Sequence, residues 1–403
     1  MNPVENPYTP GAGTQPPELA GRDDLRGKVD IALQRIRANR PSKSVLMLGL
    51  RGVGKTVLLD RIRDDAEKLG IHTLRIEAPE DRSLPGLLAP ALRLALLRLS
   101  GIARAKDLAT RALRGLAGFA KGMKVKYHDI EVGIDQKPER GLADNGDLTH
   151  DLIDLLSASS EAAKAAHTAL VLFIDELQYV SEDQLAALIT ALHRCTQLQL
   201  PVVLVGAGLP QLRAQTGNAK SYSERLFDFP MIGPLMDADA RLAITKPAKR
   251  SGVSFTKDAL DRIIAETEGY PYFLQEWGKH AWDAAGQSPI TVADVANASY
   301  STVAALDEGF FRVRFDRCTP KEREYLRAMA ELGPKPHRSG DIAELLGRHV
   351  TSLGPVRNKL IAKGMVWSPE HGDTAFTVPL FDKFMRRFMP RKDWLPSSSH
   401  REG

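Results

Sequence analysis

An apolar run, Val45-Leu46-Met47-Leu48, leads directly into Gly49-Leu50-Arg51-Gly52-Val53-Gly54-Lys55-Thr56, and the residues that follow, Val57 to Arg63, repeat with helical period. A strand, a glycine-rich turn and a helix in that order are what an anion-binding loop requires. The glycines let consecutive backbone N–H groups turn inward, Lys55 adds a mobile charge for β- and γ-phosphates, and the Thr56 hydroxyl is placed to ligate Mg²⁺. The helix start aims its partial positive charge at the same phosphates. Gly49 through Val57 are therefore candidate nucleotide-binding residues, with Arg51 a variable member of the loop.

A second apolar run, Ala169 to Ile174, ends in Asp175-Glu176. Six consecutive apolar residues demand cover on both faces, which predicts a central strand of a parallel sheet. Hydrolysis of a nucleoside triphosphate needs metal and phosphate positioning, a group that orients water, and positive charge on the transition state. Asp175 is the candidate partner of Mg²⁺ through water, together with Thr56, and Glu176 is the candidate polariser of the attacking water. Lys55 supplies charge, and Arg225, in Ser223-Glu224-Arg225-Leu226-Phe227, is either a finger reaching a neighbouring subunit's γ-phosphate or an ordinary surface arginine.

The chain has 403 residues, 43% hydrophobic and 26% charged, enough for two or three globular domains. Its two cysteines, Cys195 and Cys318, match neither a disulfide framework nor a zinc spacing, and the N-terminus has no apolar signal region, so a cytoplasmic protein without membrane spans is expected. From Arg312 onward 18 Lys/Arg stand against 11 Asp/Glu, while the rest is slightly acidic. Such an asymmetry attracts polyanions.

Strand-helix-strand alternation predicts an α/β fold with a mostly parallel sheet. Residues 1–20, with five prolines, should form an extended arm, followed by a core over 21–236, a helical lid over 237–290, a linker helix and terminal domain over 291–390, and a tail over 391–403. The alternation breaks at about 100–145, where Ala103–Lys121 looks helical and Met123–Asp135 alternates (Val125, Tyr127, Ile130, Val132, Ile134) as a hairpin would. Arg104, Lys106, Arg111, Arg114, Lys121, Lys124 and Lys126 face only Asp107 in the first half of this insertion. They form a solvated helix face or a nucleic-acid or partner contact. Three helices (Thr319–Leu332, Ser339–Leu346, Thr351–Lys363) and strands at Met365–Trp367 and Ala375–Val378 describe a winged helix.

Gly49–Thr56 paired with Asp175-Glu176, preceded by Gly21-Arg22 and followed by the helical lid and winged helix, resembles the AAA+/STAND-type P-loop ATPases of the archaeal-ATPase and origin-initiator-like clade. The resemblance implies an ASCE/AAA+ core with sheet order 5-1-4-3-2, an adenine pocket near Leu19–Arg22 with Arg22 contacting the nucleotide, and ATP with Mg²⁺ as ligands. It departs at Gly206-Ala207-Gly208, where such proteins carry a polar sensor residue after the strand Val202–Val205, and at Pro271-Tyr272-Phe273, where initiators carry a sensor arginine. Gln178 partly substitutes or is a satisfied helix-start residue. Hydrolysis is therefore expected to be slow.

The functional expectation is an ATP-hydrolysing switch that couples nucleotide state to double-stranded DNA through the winged helix, with possible assembly of subunits through Arg225. Thr351, Ser352, Arg357, Asn358 and Lys359, with Arg338, Arg348 and Lys363 nearby, are the candidate DNA contacts, and Arg386, Arg387, Arg391 and Lys392 extend the basic surface. Two alternatives stand beside it. One is a signalling or defence regulator whose winged helix binds protein, the other a helper ATPase for DNA transposition.

Overall fold

The computed structural model describes residues 1–11, 13–130, 133 and 136–391. They form two compact units, one of Arg22–Gly49 with Lys55–Ile232 and the other of Met1–Gly21, Leu50–Gly54 and the chain from Gly233 onward.

The first unit begins with α1 (Asp23–Arg37), β1 (Ser44–Gly49) and α2 (Lys55–Lys68), then β2 (His72–Glu77), α3 (Leu84–Ser100), α4 (Lys106–Met123) and α5 (Leu148–Ala165). It continues through β3 (Leu170–Asp175), α6 (Glu182–Gln197), β4 (Val202–Gly208), α7 (Leu212–Ala219), α8 (Ser223–Leu226), β5 (Phe227–Asp228) and β6 (Met231–Ile232). The strands lie in the order β2-β3-β4-β1-β5, with β6 also on β1, and every pairing is parallel. This is the order 5-1-4-3-2 that the resemblance implied. β1, β3 and β4 are buried along their whole length. Apolar runs without alternation fit strands covered by helices on both faces.

The insertion joins this core. The face of α4 carrying Ala109, Ala112, Leu113, Leu116, Phe119 and Met123 is buried in the main hydrophobic cluster. Leu142 packs closely on Gly115, where a Cβ would stand 2.8 Å from Leu142 Cδ2. On the outer face, Glu139 pairs with Arg111 at 2.8 Å and Arg114 at 3.4 Å. The expected hairpin is not found among the described residues: Met123 ends α4 and 124–130 form turns, whereas Val132 and Ile134 lie outside the described residues. The alternation of 123–130 comes from a helix end, whose i→i+4 bond from Tyr127 N–H to the Met123 carbonyl replaces strand pairing.

The second unit contains α9 (Asp237–Arg250), α10 (Lys257–Thr267), α11 (Pro271–Ala284) and α12 (Val292–Leu306). A π-helical turn, Asp307–Phe311, joins α12 to α13 (Arg312–Asp316). Consecutive α-helical residues point about 100° apart. The wider turn accompanies burial of both Phe310 and Phe311. After it come α14 (Pro320–Leu332), β7 (His337–Arg338), α15 (Ser339–Leu345), α16 (Val350–Ala362), β8 (Val366–Trp367), β9 (Asp373–Phe376) and α17 (Phe381–Phe388). The last three strands form an antiparallel sheet in the order β7-β9-β8. Lys392 and the rest of the tail lie outside the described residues.

Asn2, Tyr8 and Glu18 dock on α9 and α11. Tyr8 is 3% exposed, its hydroxyl donates to the Ile244 carbonyl at 2.6 Å, and its ring lies where a Cβ on Gly278 would approach to 2.7 Å. Trp282 Nε1 donates to the Asn2 carbonyl at 3.0 Å, and Glu18 pairs with Lys246 at 2.8 Å and Arg250 at 2.9 Å. Removing a buried aromatic of this kind costs about 3–5 kcal/mol. Tyr8→Ala is therefore expected to lower the melting temperature and expose residues 1–8 to rapid amide exchange. Unchanged protection of those residues would show that Tyr8 does not anchor the arm.

Candidate functional site

The carboxyl ends of the parallel strands carry the candidate chemistry, as the sheet order requires of an open α/β fold. Lys55 opens α2 and is buried, and its Nζ donates to the Gly49 carbonyl at 3.0 Å. Gly52 and Gly54 have φ of +78° and +85°, a region in which side chains are strained, and a Cβ built on Gly54 would meet nothing within 4 Å. Glycines in this conformation leave room for a phosphate chain against the loop backbone.

Asp175 is only 1% exposed at the end of β3. Burial pushes its carboxyl above the usual carboxylate range, and the Glu176 charge adds to the rise; bonds from the Thr56 hydroxyl and the Glu176 N–H, and the Arg75 charge, act the other way. The Glu176 N–H donates to Asp175 Oδ1 at 2.9 Å. A carboxylate desolvated beside a hydroxyl is a donor set for a hard divalent cation, which would restore the charged form. Thr56 and Asp175 could therefore hold Mg²⁺.

Arg75 is a member of this cluster that sequence reasoning missed. It stands 3.6 Å from Asp175 Oδ2, and its Nε donates to Asp60 Oδ1 at 2.7 Å. The signal was present, as an arginine inside the otherwise extended run His72–Glu77. β2 pairs β3 in register, Glu77 opposite Asp175, so the pleat carries Arg75 toward the acid.

Glu176 adopts a left-handed backbone, φ +51°, and its carboxylate accepts a bond from Gln178 Nε2. A non-glycine residue in this region is held there by its surroundings.

The middle of the loop belongs to the second unit. The Arg51 N–H donates to the Thr377 carbonyl at 3.0 Å, and the Tyr272 N–H, at the start of α11, donates to the Gly52 carbonyl at 3.2 Å. Val53 is buried, whereas Leu50, Arg51 and Val57 are partly covered. Arg22 precedes α1 as its N-cap residue, and its carbonyl accepts from Arg26 N–H at 3.0 Å. Gly21, at φ +67°, has no room for a Cβ, which would lie 2.6 Å from Asp239.

Arg225 is exposed on α8 and lines a cavity of about 190 Å³ with Lys43, Ser44 and Phe227. Ser44 pairs with Phe227 at the start of β1, about 16 Å along the strand from Gly49 at 3.3 Å per residue. Arg225 thus stands at the opposite end of the sheet from its own chain's phosphate loop.

Several candidate DNA contacts are engaged elsewhere. Arg357 donates to Thr374 Oγ1, Ser368 Oγ and the Asp373 carbonyl, all at 2.8 Å, fastening α16 to the terminal sheet. Arg348 pairs with Glu324 at 2.8 Å and Lys363 with Glu322 at 2.7 Å. Arg386 and Arg387 pair with Asp382 and Asp307. Thr351, Ser352, Asn358 and Lys359 are exposed on α16, and Arg338 is exposed at the end of β7.

Outer partners of a metal site change affinity by about 10–100-fold when lost. Arg75→Met is therefore expected to raise the Mg²⁺ concentration needed for half-maximal retention of a fluorescent ATP analogue by about tenfold. An unchanged midpoint would remove Arg75 from the site.

Comparison with known proteins bears on these residues. Residues 18–205 match the model described as AAA ATPase domain, and residues 308–385 match a domain of unknown function (DUF8462). No curated protein sequence matches the chain. Among solved structures it is similar to the Walker-type ATPase PABY2304 of Pyrococcus abyssi, with a TM-score of 0.58 and 15% identity over 93% of this chain and 97% of that one. It also aligns with the Aeropyrum pernix ORC1 protein in complex with DNA, at a TM-score of 0.46 and 14% identity over 92% of this chain and 94% of that one. At 15% identity the first likeness speaks for fold. No helix among the described residues is long and apolar enough to cross a membrane. The sheet order and the likeness to the Pyrococcus ATPase show a P-loop NTPase fold, and residues 18–205 are similar to an AAA ATPase domain.

Proposed function

We propose that the protein is a Mg²⁺-dependent ATP-hydrolysing switch whose nucleotide state is coupled to its C-terminal domain. The observation that carries this reading is the pair of backbone bonds from the loop to that domain and to α11, Arg51 N–H to Thr377 and Tyr272 N–H to Gly52. A phosphate bound by the loop amides competes for Arg51 N–H and so acts on the contact with Thr377.

Lys55 turns from the Gly49 carbonyl to the β- and γ-phosphates, and the loop N–H groups cradle them. Thr56 and Asp175 would hold a Mg²⁺ ion, which would supply charge neutralisation along the phosphates. Arg75 orients Asp175, and Glu176 orients the attacking water and accepts its proton. Arg22 borders the nucleotide. Turnover is slow, in keeping with the apolar end of β4 and the absence of an arginine at Pro271–Phe273.

Arg225 supplies positive charge to the site of a neighbouring copy. Its position at the far end of β1 favours action between subunits over action within one. Mixing Arg225→Ala protein with Lys55→Ala protein is expected to restore turnover above that of either alone. No restoration in a demonstrably mixed oligomer would remove Arg225 from catalysis.

The output is binding of double-stranded DNA by a winged helix formed from α14, α15, α16 and the sheet β7-β9-β8. Exposed Thr351, Ser352, Asn358, Lys359 and Arg338, on a chain segment with excess positive charge, support this. The competing reading, a nucleotide-gated regulator whose terminal domain binds protein, is favoured by the internal pairing of Arg348, Arg357 and Lys363. Steady-state ATP turnover with and without duplex DNA decides between them. DNA stimulation that Lys55→Ala and Glu176→Gln abolish, and a log-log salt slope of binding that Lys359→Ala reduces by about one, are expected. Turnover indifferent to DNA, with no salt-dependent binding, would leave the protein-directed regulator.

A further inference from the structure

The end of β4, Gly206-Ala207-Gly208, presents no polar side chain to the site, and the packing explains why. A Cβ on Gly206 would stand 2.6 Å from Leu46 Cδ2, and one on Gly208 would stand 2.8 Å both from Gln178 Oε1 and from Leu212 Cδ2. The space beside Gly208 is taken by Gln178, which arrives from the short 3-10 turn Leu177–Tyr179 after β3 and is 6% exposed.

The orientation of its amide is determined by the backbone. The Leu209 N–H donates to Gln178 Oε1 at 3.0 Å, and a backbone N–H can bond only the oxygen of a carboxamide. Nε2 therefore faces the other way, where it donates to Glu176 Oε2. The turn is held from behind by Gln215 Nε2, which donates to the Gln178 carbonyl at 3.2 Å. One buried side chain thus ties the carboxylate after β3 to the first residue beyond β4.

We infer that Gln178 is the positioning residue for Glu176: it takes the place of a polar side chain on β4 and holds the Glu176 carboxylate in the orientation from which it directs water. Glu176 is left-handed and half-buried, and the Gln178 amide, fixed by the Leu209 N–H, meets its carboxylate and selects the rotamer. The inference rests on the reading of Glu176 as the water-orienting group. Gln178 acts through its bonds to the Leu209 N–H and to Glu176, which confines its effect to the chemical step.

Two replacements test it. Gln178→Met keeps the shape and removes both bonds, while Gln178→Glu keeps an acceptor for Leu209 N–H and sets a carboxylate against Glu176. Thermal melting first establishes that each folds, and Gln178→Glu, which retains the Leu209 bond, is the safeguard if Gln178→Met does not. Both are expected to lower single-turnover ATP hydrolysis about tenfold or more while leaving KM and nucleotide affinity within about twofold, since misplacing a catalytic group costs on this scale. In a Glu176→Gln background, Gln178→Met should add no further loss, because a residue acting only through Glu176 has nothing left to position. Turnover of both variants within about twofold of the natural protein, a rise in turnover, or an equal further loss in the Glu176→Gln background would overturn the inference. Normal hydrolysis by Glu176→Gln alone would instead overturn the reading of Glu176, so the two failures are distinguishable.

Discussion

A carboxylate buried at the end of a central strand is the constraint to which the rest of the site answers. Asp175 is desolvated, and isolated carboxylates are not stable in such places. Thr56, Arg75 and the Glu176 N–H surround it, drawn from the helix after the loop, the neighbouring strand and its own chain. Thr56 and Arg75 reach it through parallel pairing in register, β2 on β3 and β1 on β4 beside it. The sheet order is therefore part of the chemistry, because it brings a loop, an acid and an arginine from three separate strands to one edge.

The loop after β1 faces a second demand. Its middle residues are hydrogen-bonded to α11 and to the residue after β9. From α11 a run of aromatic rings continues through the same unit: Tyr272 stacks on Phe310 at 4.7 Å, Phe310 meets Phe311 edge-on at 5.2 Å, and Phe311 and Phe388 stack on either side of Phe384 at 5.3 Å. The π-helical turn supplies Phe310 and Phe311, one for each half of the run.

Most of the core was legible because it is periodic or motif-bound. The apolar runs at 45–48 and 169–174 named the strands, and Gly52 and Gly54 at positive φ are where the loop motif needs them. In the terminal domain the count of charges did not show that Arg348, Arg357 and Lys363 pair with Glu324, the terminal sheet and Glu322. Composition records how many positive charges there are but not which carboxylates lie within reach. β7 escaped notice because a two-residue strand leaves no alternation to read. Alternation around Val125 and Tyr127 suggested strands where a helix end and turns are found, a case in which a few residues satisfy two periods at once.

By itself the sequence determined the parallel α/β core, the phosphate loop and the paired acids, because these depend on local geometry: apolar runs, glycines at fixed spacing and a strand end. Only the tertiary structure decided which distant side chains complete them. Arg75 on Asp175, Gln178 on Leu209, Tyr8 against Gly278 and Thr377 on the loop are contacts between residues separated by many positions. Their partners are chosen by register and packing, which no single segment encodes.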